Sequence, residues 1–224
     1  MSMTTAVVQI LKSPDAPSQL KALQDALSHE AKQRQAFYNW IDETTKAEFI
    51  NGHVVIHSPV KKEHWQASDF LSRLLSVFAS FKRLGRVGVE KVMISLTRND
   101  YEPDIVFFNK EKADVFSAEQ VLFPAPDFIV EILSKKTATA DRTLKKIDYA
   151  AHGVQEYWII DPVKQTLEQY LLLEKTDKTY FQPYFYSLGD VIESQAIEGF
   201  TIPIKAIFDE ETNMQTIAAL IKNT

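Results

Sequence analysis

The sequence predicts an α/β fold with a central mixed β-sheet flanked by helices. Three observations carry this. Short apolar runs rich in β-branched and aromatic residues, such as Phe128-Ile129-Val130 and Tyr157-Trp158-Ile159-Ile160, read as buried strands. Other stretches repeat their apolar residues at helical spacing. Helices separate some of the strands but not others, which argues for a mixed sheet.

The elements follow in order. Residues 1–20, with Ser13-Pro14-Asp15-Ala16-Pro17, read as a loosely held lead-in. Leu20, Leu23, Ala26 and Leu27, then Phe37 and Trp40-Ile41, predict a helix over 19–46. The period then changes. Two short β-rich runs flank Asn51-Gly52, a dipeptide suited to a two-residue type I′ hairpin because both positions need φ > 0. Trp65, Phe70, Leu71, Leu74, Leu75 and Phe78 restore helical spacing over 62–83, and Gly85 is the expected stop. Strands are expected at Val87–Leu96, Asp104–Phe108 and Phe128–Leu133, then a helix from Thr139 to His152 with Leu144, Ile147 and Ala151 as its buried stripe. Strands at Tyr157–Ile160, Leu167–Leu173 and Tyr180–Ser187 precede a last helix near Met214–Ile221. Residues 1–45 are expected to form an N-terminal helical extension, and 46–224 one globular unit.

Composition narrows the function. The chain has 224 residues, 45% of them hydrophobic and 25% charged, enough apolar surface to offset the entropy of ordering. There is no cysteine, which excludes disulfides, thiolate zinc sites, iron–sulfur clusters and cysteine nucleophiles. No apolar run approaches the ~20 residues of a bilayer span. The start lacks a basic region followed by a long apolar one, so a cytoplasmic location is expected. A formal net charge of −5 argues against coating nucleic acid through bulk positive charge, though not against touching it at one local patch.

The chemistry-bearing residues stand out against apolar surroundings. Glu102-Pro103-Asp104 opens one strand, and Glu131 sits inside Phe128-Ile129-Val130-Glu131-Ile132-Leu133. An unpaired buried carboxylate is costly, so such groups neutralise, find a cation or bind a metal. On neighbouring strands ~4.8 Å apart, Asp104 and Glu131 can share a divalent ion. Asp127 and Glu131, four residues apart on one strand, lie about 13 Å apart and cannot; Asp127 reads as a strand-start residue. The same arithmetic separates His53 from His57 and disfavours zinc there.

In the following helix Asp141, Lys145, Tyr149 and His152 share one flank. Lys135, Lys136, Arg142, Lys145 and Lys146 make 134–146 a basic patch on an acidic protein. Two strand carboxylates, a nearby lysine and a basic rim suggest phosphodiester chemistry. Mg²⁺ would acidify a water and take up charge, and the lysine would orient that water or stabilise the transition state. The surrounding cations would position the backbone phosphates.

These motifs also carry a resemblance. Glu48-Phe49-Ile50-Asn51-Gly52, Ser58-Pro59 with His64, Glu102-Pro103-Asp104, Pro126-Asp127 with Glu131-Ile132-Leu133-Ser134, Asp141-Arg142 with Lys145 and Tyr149, and Gly153-Val154 with Glu156-Tyr157-Trp158 and Asp161-Pro162 occur in this order. Over roughly residues 25–190 the chain resembles the bacterial "putative restriction endonuclease" family of the PD-(D/E)xK nuclease superfamily. The resemblance implies a restriction-endonuclease-like core and Mg²⁺-dependent cleavage of DNA, with Mn²⁺ as a substitute. Asp104 and Glu131 match the two acidic positions. The third motif position, where the superfamily has lysine, is Leu133. The resemblance maps the lysine onto Lys145, with Lys135 or Lys146 as substitutes.

Glu48, His64 and Tyr149 are auxiliary candidates, each with a plainer alternative. Glu48 could complete the metal shell or pair in its hairpin. His64 could serve the site or cap and pack. Tyr149 could act or simply pack. Lys135, Lys136 and Arg142 are candidate phosphate contacts, Arg142 alternatively solvating its helix. Tyr180, Phe181, Tyr184, Phe185 and Tyr186 could stack bases, but packing on the core is the expected account. A homodimer is expected, since cutting both strands favours two-fold pairs. The competing readings are a catalytically inactive nuclease-fold module that binds nucleic acid or protein, and a carboxylate-pair sugar hydrolase needing no metal.

Overall fold

The computed structural model describes residues 5–42 and 44–222. The chain opens with α1 (Thr5–Leu11) and α2 (Ala16–Trp40), so the expected loose lead-in is helical from residue 5 onward. The part of that expectation covering residues 1–4 lies outside the described residues, as does Glu43 within the expected helix. Pro17 suits the first turn of α2, where a missing N–H leaves nothing unpaired. In the amino half of α2, Leu20, Leu23 and Leu27 are exposed. Its carboxyl half docks: Phe37 is buried, and Arg34 grips Asp100 through Nε and Nη2 at 2.7 and 2.6 Å.

The hairpin β1 (Ala47–Ile50) and β2 (His53–Ile56) turns through Asn51 (φ 48°) and Gly52 (φ 85°), as the dipeptide requires. Next comes α3 (Lys62–Lys82). It stops at Arg83 in the left-handed conformation, not at Gly85 as expected. Gly85 instead begins β3 (Gly85–Val89), where a Cβ would lie 2.0 Å from the Phe108 carbonyl oxygen. The expected Val87–Leu96 strand is broken after β3 by Glu90 and Lys91, both left-handed, and resumes as β4 (Met93–Ser95).

The chain continues through β5 (Asp100–Tyr101), β6 (Ile105–Asn109), α4 (Lys110–Ala113), β7 (Leu122–Phe123) and β8 (Phe128–Ile132). The helix after β8 is interrupted: α5 (Ala138–Ala140) runs into a π-helical turn (Asp141–Lys145) and then α6 (Lys146–Ala151). Then follow β9 (Glu156–Asp161), β10 (Thr166–Leu171), β11 (Tyr184–Tyr186), β12 (Val191–Glu193), β13 (Thr201–Pro203), a 3₁₀ turn (Ile204–Ile207) and α7 (Glu210–Lys222).

Six strands form the main sheet in the order β11-β10-β9-β8-β6-β3. It is mixed: β8 and β9 run parallel, and the other neighbours antiparallel. Five more strands form a second sheet, β2-β1-β5-β4-β7. Side chains on the main sheet alternate between two apolar layers. Ile105, Phe107, Phe128, Val130 and Trp158 pack with Leu71, Leu74 and Phe78 of α3. Val106, Phe108, Ile129, Tyr157 and Ile159 pack with Ile94, Tyr101 and Tyr149. β8, in the middle, is buried on both faces, so a carboxylate there must find its partners inside the protein.

Two expectations fail here for identifiable reasons. Ile147, expected in the buried stripe, is 63% exposed, and Leu144 and Ala151 are not buried either. The inward row is Asp141, Lys145 and Tyr149, because carboxylates on β1 and β8 meet the helix there. In the aromatic run, Tyr180 and Tyr186 pack on the cores, but Phe181, Tyr184 and Phe185 are exposed. β11 is an edge strand paired only with β10 over three residues, with little to cover it.

Candidate functional site

The site forms where β6 and β8 part. Their antiparallel register pairs Ile105 with Val130, and one step further it sets Asp104 against Glu131. Both then share the sheet face of Val106 and Ile129, as period two requires. Beyond the strand end the Ile132 N–H loses its ladder partner and donates to Asp104 Oδ2 at 2.7 Å. Asp104 is thus fixed by the backbone of the strand that carries Glu131.

Three other elements close around the pair. β1 brings Glu48 and, on the same face two residues earlier, Lys46. The π-helical turn and α6 bring Asp141, Lys145 and Tyr149. The first turn of α3 brings His64. Lys145 Nζ lies 2.8 Å from Glu48 Oε1, 3.0 Å from Glu131 Oε1 and 3.4 Å from Asp141 Oδ1, and its side chain is 2% exposed. Tyr149 donates its hydroxyl to Glu131 Oε1 at 2.9 Å. His64 Nε2 lies 3.3 Å from Asp104 Oδ2, and Lys46 Nζ 3.5 Å from Asp104 Oδ1. Glu48 also meets His57 Nε2 at 3.1 Å and accepts the Glu102 N–H.

The structure therefore gathers Asp104, Glu131, Lys145, Glu48, His64 and Tyr149 into one buried cluster. The expected phosphate contacts lie apart from it. Arg142 is held by Glu168 on β10 through Nε and Nη2 at 2.9 and 2.6 Å, Lys136 donates to Ser58 Oγ, and Lys135 is exposed. Asp127 caps the end of β6, accepting the Asn109 N–H at 2.7 Å.

Lys46, His57 and Glu102 were not among the residues that the sequence placed in the site. The signal for Lys46 and His57 was the hairpin itself. In its register, extended one step, they face each other, on the side of Glu48. Glu102, which accepts the Ala47 N–H, was signalled by its place beside Asp104 in Glu102-Pro103-Asp104.

Burial dominates the electrostatics. It pushes the Glu131 carboxyl well above its usual range against the pull of Lys145, and Asp141, Asp104 and Glu48 push it further. Asp141 is raised for the same first reason, against the pull of Lys145 at 3.4 Å. Burial also opposes ionisation of Glu48, but Lys145 and His57 prevail and hold it at about 2. Asp104 is lowered despite burial, by His64, Lys46 and the Ile132 N–H. Lys145 is raised well above its usual value because Glu131, Glu48 and Asp141 outweigh its desolvation.

Carboxylate oxygens are the ligands that hard divalent cations take. Four carboxyl groups, Asp104, Glu131, Glu48 and Asp141, meet two lysines, Lys145 and Lys46. Both hydrogen bonds to Glu131 fall on Oε1, and Asp104 Oδ1 has only the long Lys46 contact. Each carboxylate keeps oxygen lone pairs for an ion. Among the described residues no group of three or more His, Cys, Asp or Glu side chains is placed to hold a metal ion. Mg²⁺ commonly takes only one or two carboxylates, with waters and phosphate oxygens completing its shell.

Comparison with known proteins agrees with this architecture. A crystal structure at 1.96 Å of a putative nuclease from Anabaena variabilis ATCC 29413 superposes with a TM-score of 0.65. It is 19% identical, and the match covers 77% of this chain and 94% of that one, a likeness of fold. No curated protein matches the sequence. The Uma2 family, described as "Putative restriction endonuclease", matches residues 34–205, from the docked part of α2 to the 3₁₀ turn before α7. That span is most of the chain and holds every residue of the cluster, so the protein belongs to the Uma2 family of putative restriction endonucleases.

Proposed function

We propose that the protein is a divalent-cation-dependent endonuclease that hydrolyses DNA phosphodiester bonds. Asp104 and Glu131 hold Mg²⁺ or Mn²⁺, and Lys145 assists. The observation that carries the reading is the opposition of these two carboxylates on one sheet face, inside a buried cluster of four carboxyl groups and two lysines. The family and the nuclease-like fold support the same reaction class. When bound, the cation would neutralise charge on the phosphate and acidify an attacking water.

The chain's own residues set the stage. The Ile132 N–H and His64 fix Asp104 Oδ2, leaving Oδ1 toward Lys46. Lys145 and Tyr149 fix Glu131 through Oε1. Lys145 ties Glu48 and Asp141 to the same point, so four elements hold one geometry. Such preorganisation spares the site from reorganising as charge develops on the phosphate. Hydrolysis adds water across one P–O bond and leaves a phosphomonoester and an alcohol.

Purified protein with Mg²⁺ is expected to nick or linearise supercoiled plasmid. Asp104→Ala is expected to abolish cleavage with little change in melting temperature. A wild type inert with Mg²⁺ and Mn²⁺ on plasmid, linear duplex and single-stranded DNA refutes the reading.

A further inference from the structure

We propose that Lys46, not the buried Lys145, is the lysine that contacts the phosphate being cleaved. The inference rests on the nuclease reading and assigns a direct substrate contact within it.

Donor capacity and access separate the two lysines. An ammonium has three N–H donors. Those of Lys145 face three carboxylate oxygens at 2.8, 3.0 and 3.4 Å, and the side chain is 2% exposed. Its ammonium also lies 5.6 Å from the centre of the Tyr101 ring, which takes a face that water could otherwise occupy. A phosphate oxygen could reach Lys145 only by breaking a bond to a buried carboxylate. Lys145 works as a fixed counter-charge inside the protein.

Lys46 has the opposite character. It lies just before β1, and its side chain is 19% exposed. Its one carboxylate contact is to Asp104 Oδ1 at 3.5 Å, long for a charge-assisted bond. Two of its three donors have no carboxylate within bonding distance among the described residues. Of the two lysines beside the Asp104–Glu131 pair, Lys46 is the one whose side chain reaches solvent, 19% exposed against 2% for Lys145. The Lys46 ammonium can leave its weak contact for a phosphate oxygen without orphaning a buried charge, because His64 and the Ile132 N–H still hold Asp104.

The test compares Lys46→Met, Lys46→Arg and Lys145→Met with the wild type. Plasmid cleavage in Mg²⁺, Mn²⁺ binding by calorimetry, thermal melting, and the salt dependence of binding to a labelled duplex in Ca²⁺ are measured for each. For Lys46→Met, cleavage is expected to fall about 100-fold or more, as on losing a group that stabilises phosphate charge. The salt slope of duplex binding should drop by about one. Its Mn²⁺ affinity should hold or rise, because a positive charge beside Asp104 is gone. Lys46→Arg keeps the charge and guards against a folding defect. It should stay within about tenfold of wild type. Lys145→Met should lower the melting temperature and leave the salt slope unchanged.

Cleavage by Lys46→Met within about threefold of a cutting wild type overturns the proposal while the nuclease reading stands. So does loss of Mn²⁺ binding in Lys46→Met, which would make Lys46 a scaffold, or a loss in Lys46→Arg as deep as in Lys46→Met. A wild type that neither cuts nor binds DNA removes the nuclease reading and this inference with it.

Discussion

Lys145→Met removes the ammonium that Glu48, Glu131 and Asp141 share, while keeping an unbranched chain in its place. All four side chains are at most 7% exposed, so water cannot replace the lost partner. Breaking one buried pair by removing a partner costs about 3–5 kcal/mol. The cost is limited by protonation: each carboxyl forced neutral at pH 7 costs about 1.4 kcal/mol per unit between its pKa and the pH. Glu131 and Asp141 already lie above their usual range, so they yield first, and Glu48, held at about 2 by Lys145 and His57, loses most. A loss of about 3–5 kcal/mol at pH 7.5 corresponds to roughly 6–20 °C in melting temperature for a chain of this size. The sign with pH is fixed. Lys145, with its pKa raised on folding, contributes fully below its ordinary 10.5. In the variant the folded state binds more protons than the unfolded one, so lowering the pH from 7.5 to 5.5 should recover part of the loss. Urea denaturation followed by tryptophan fluorescence at both pH values measures this. A loss under about 1 kcal/mol, or a larger loss at pH 5.5 than at 7.5, refutes the argument that Lys145 is the counter-charge of the cluster.

Two further outcomes follow from buried carboxylates. Glu48 is depressed from 4.5 to about 2, worth on the order of 3 kcal/mol of stability above pH 4.5 that is lost as the pH falls toward 2. Glu48→Gln should flatten the stability profile across that window in urea titrations, and parallel curves for variant and wild type would contradict the assignment. Glu156, far from the cluster, accepts from Trp158 Nε1, Gln169 Nε2, Ser194 Oγ and the Gln195 and Ala196 N–H groups at 2.6–2.8 Å. Glu156→Ala leaves several buried donors without an acceptor and should cost about 3 kcal/mol or more in chemical denaturation. Cleavage per folded molecule should stay within about twofold of wild type, and a specific loss of activity would mean that Glu156 serves the site.

Local rules made much of this architecture readable from the residues. Asn51-Gly52 demands a tight hairpin, and that hairpin delivers Glu48. Carboxylates inside the apolar runs around Asp104 and Glu131 demand partners, and the partners proved to be Lys145, Tyr149, His64 and Lys46. What stayed hidden was non-local. Glu48 and Lys145 are 97 residues apart, and nothing in either neighbourhood announces the other. That pairing decides which face of the Thr139–His152 segment is buried. Apolar periodicity pointed to Leu144 and Ile147, whereas the charged row Asp141, Lys145 and Tyr149 turns inward through a π-helical turn. Such turns insert a residue into helical phase and often sit at functional sites, and a period of 3.6 cannot register them. The exposed face of Phe185 on β11 was hidden for a related reason: strand alternation reports a pleat, but not whether anything packs on it, and Phe181 lies ahead of the strand altogether.

The central claim is that Asp104 and Glu131 jointly hold a divalent cation. Calorimetric titration of Mn²⁺ into wild type, Asp104→Asn and Glu131→Gln tests it most directly, with folding of each variant checked by circular dichroism. One ion per chain is expected for wild type, with affinity reduced at least about tenfold in each variant, since each removes a ligand charge from the ion's shell. Equal Mn²⁺ binding by all three proteins would contradict the account.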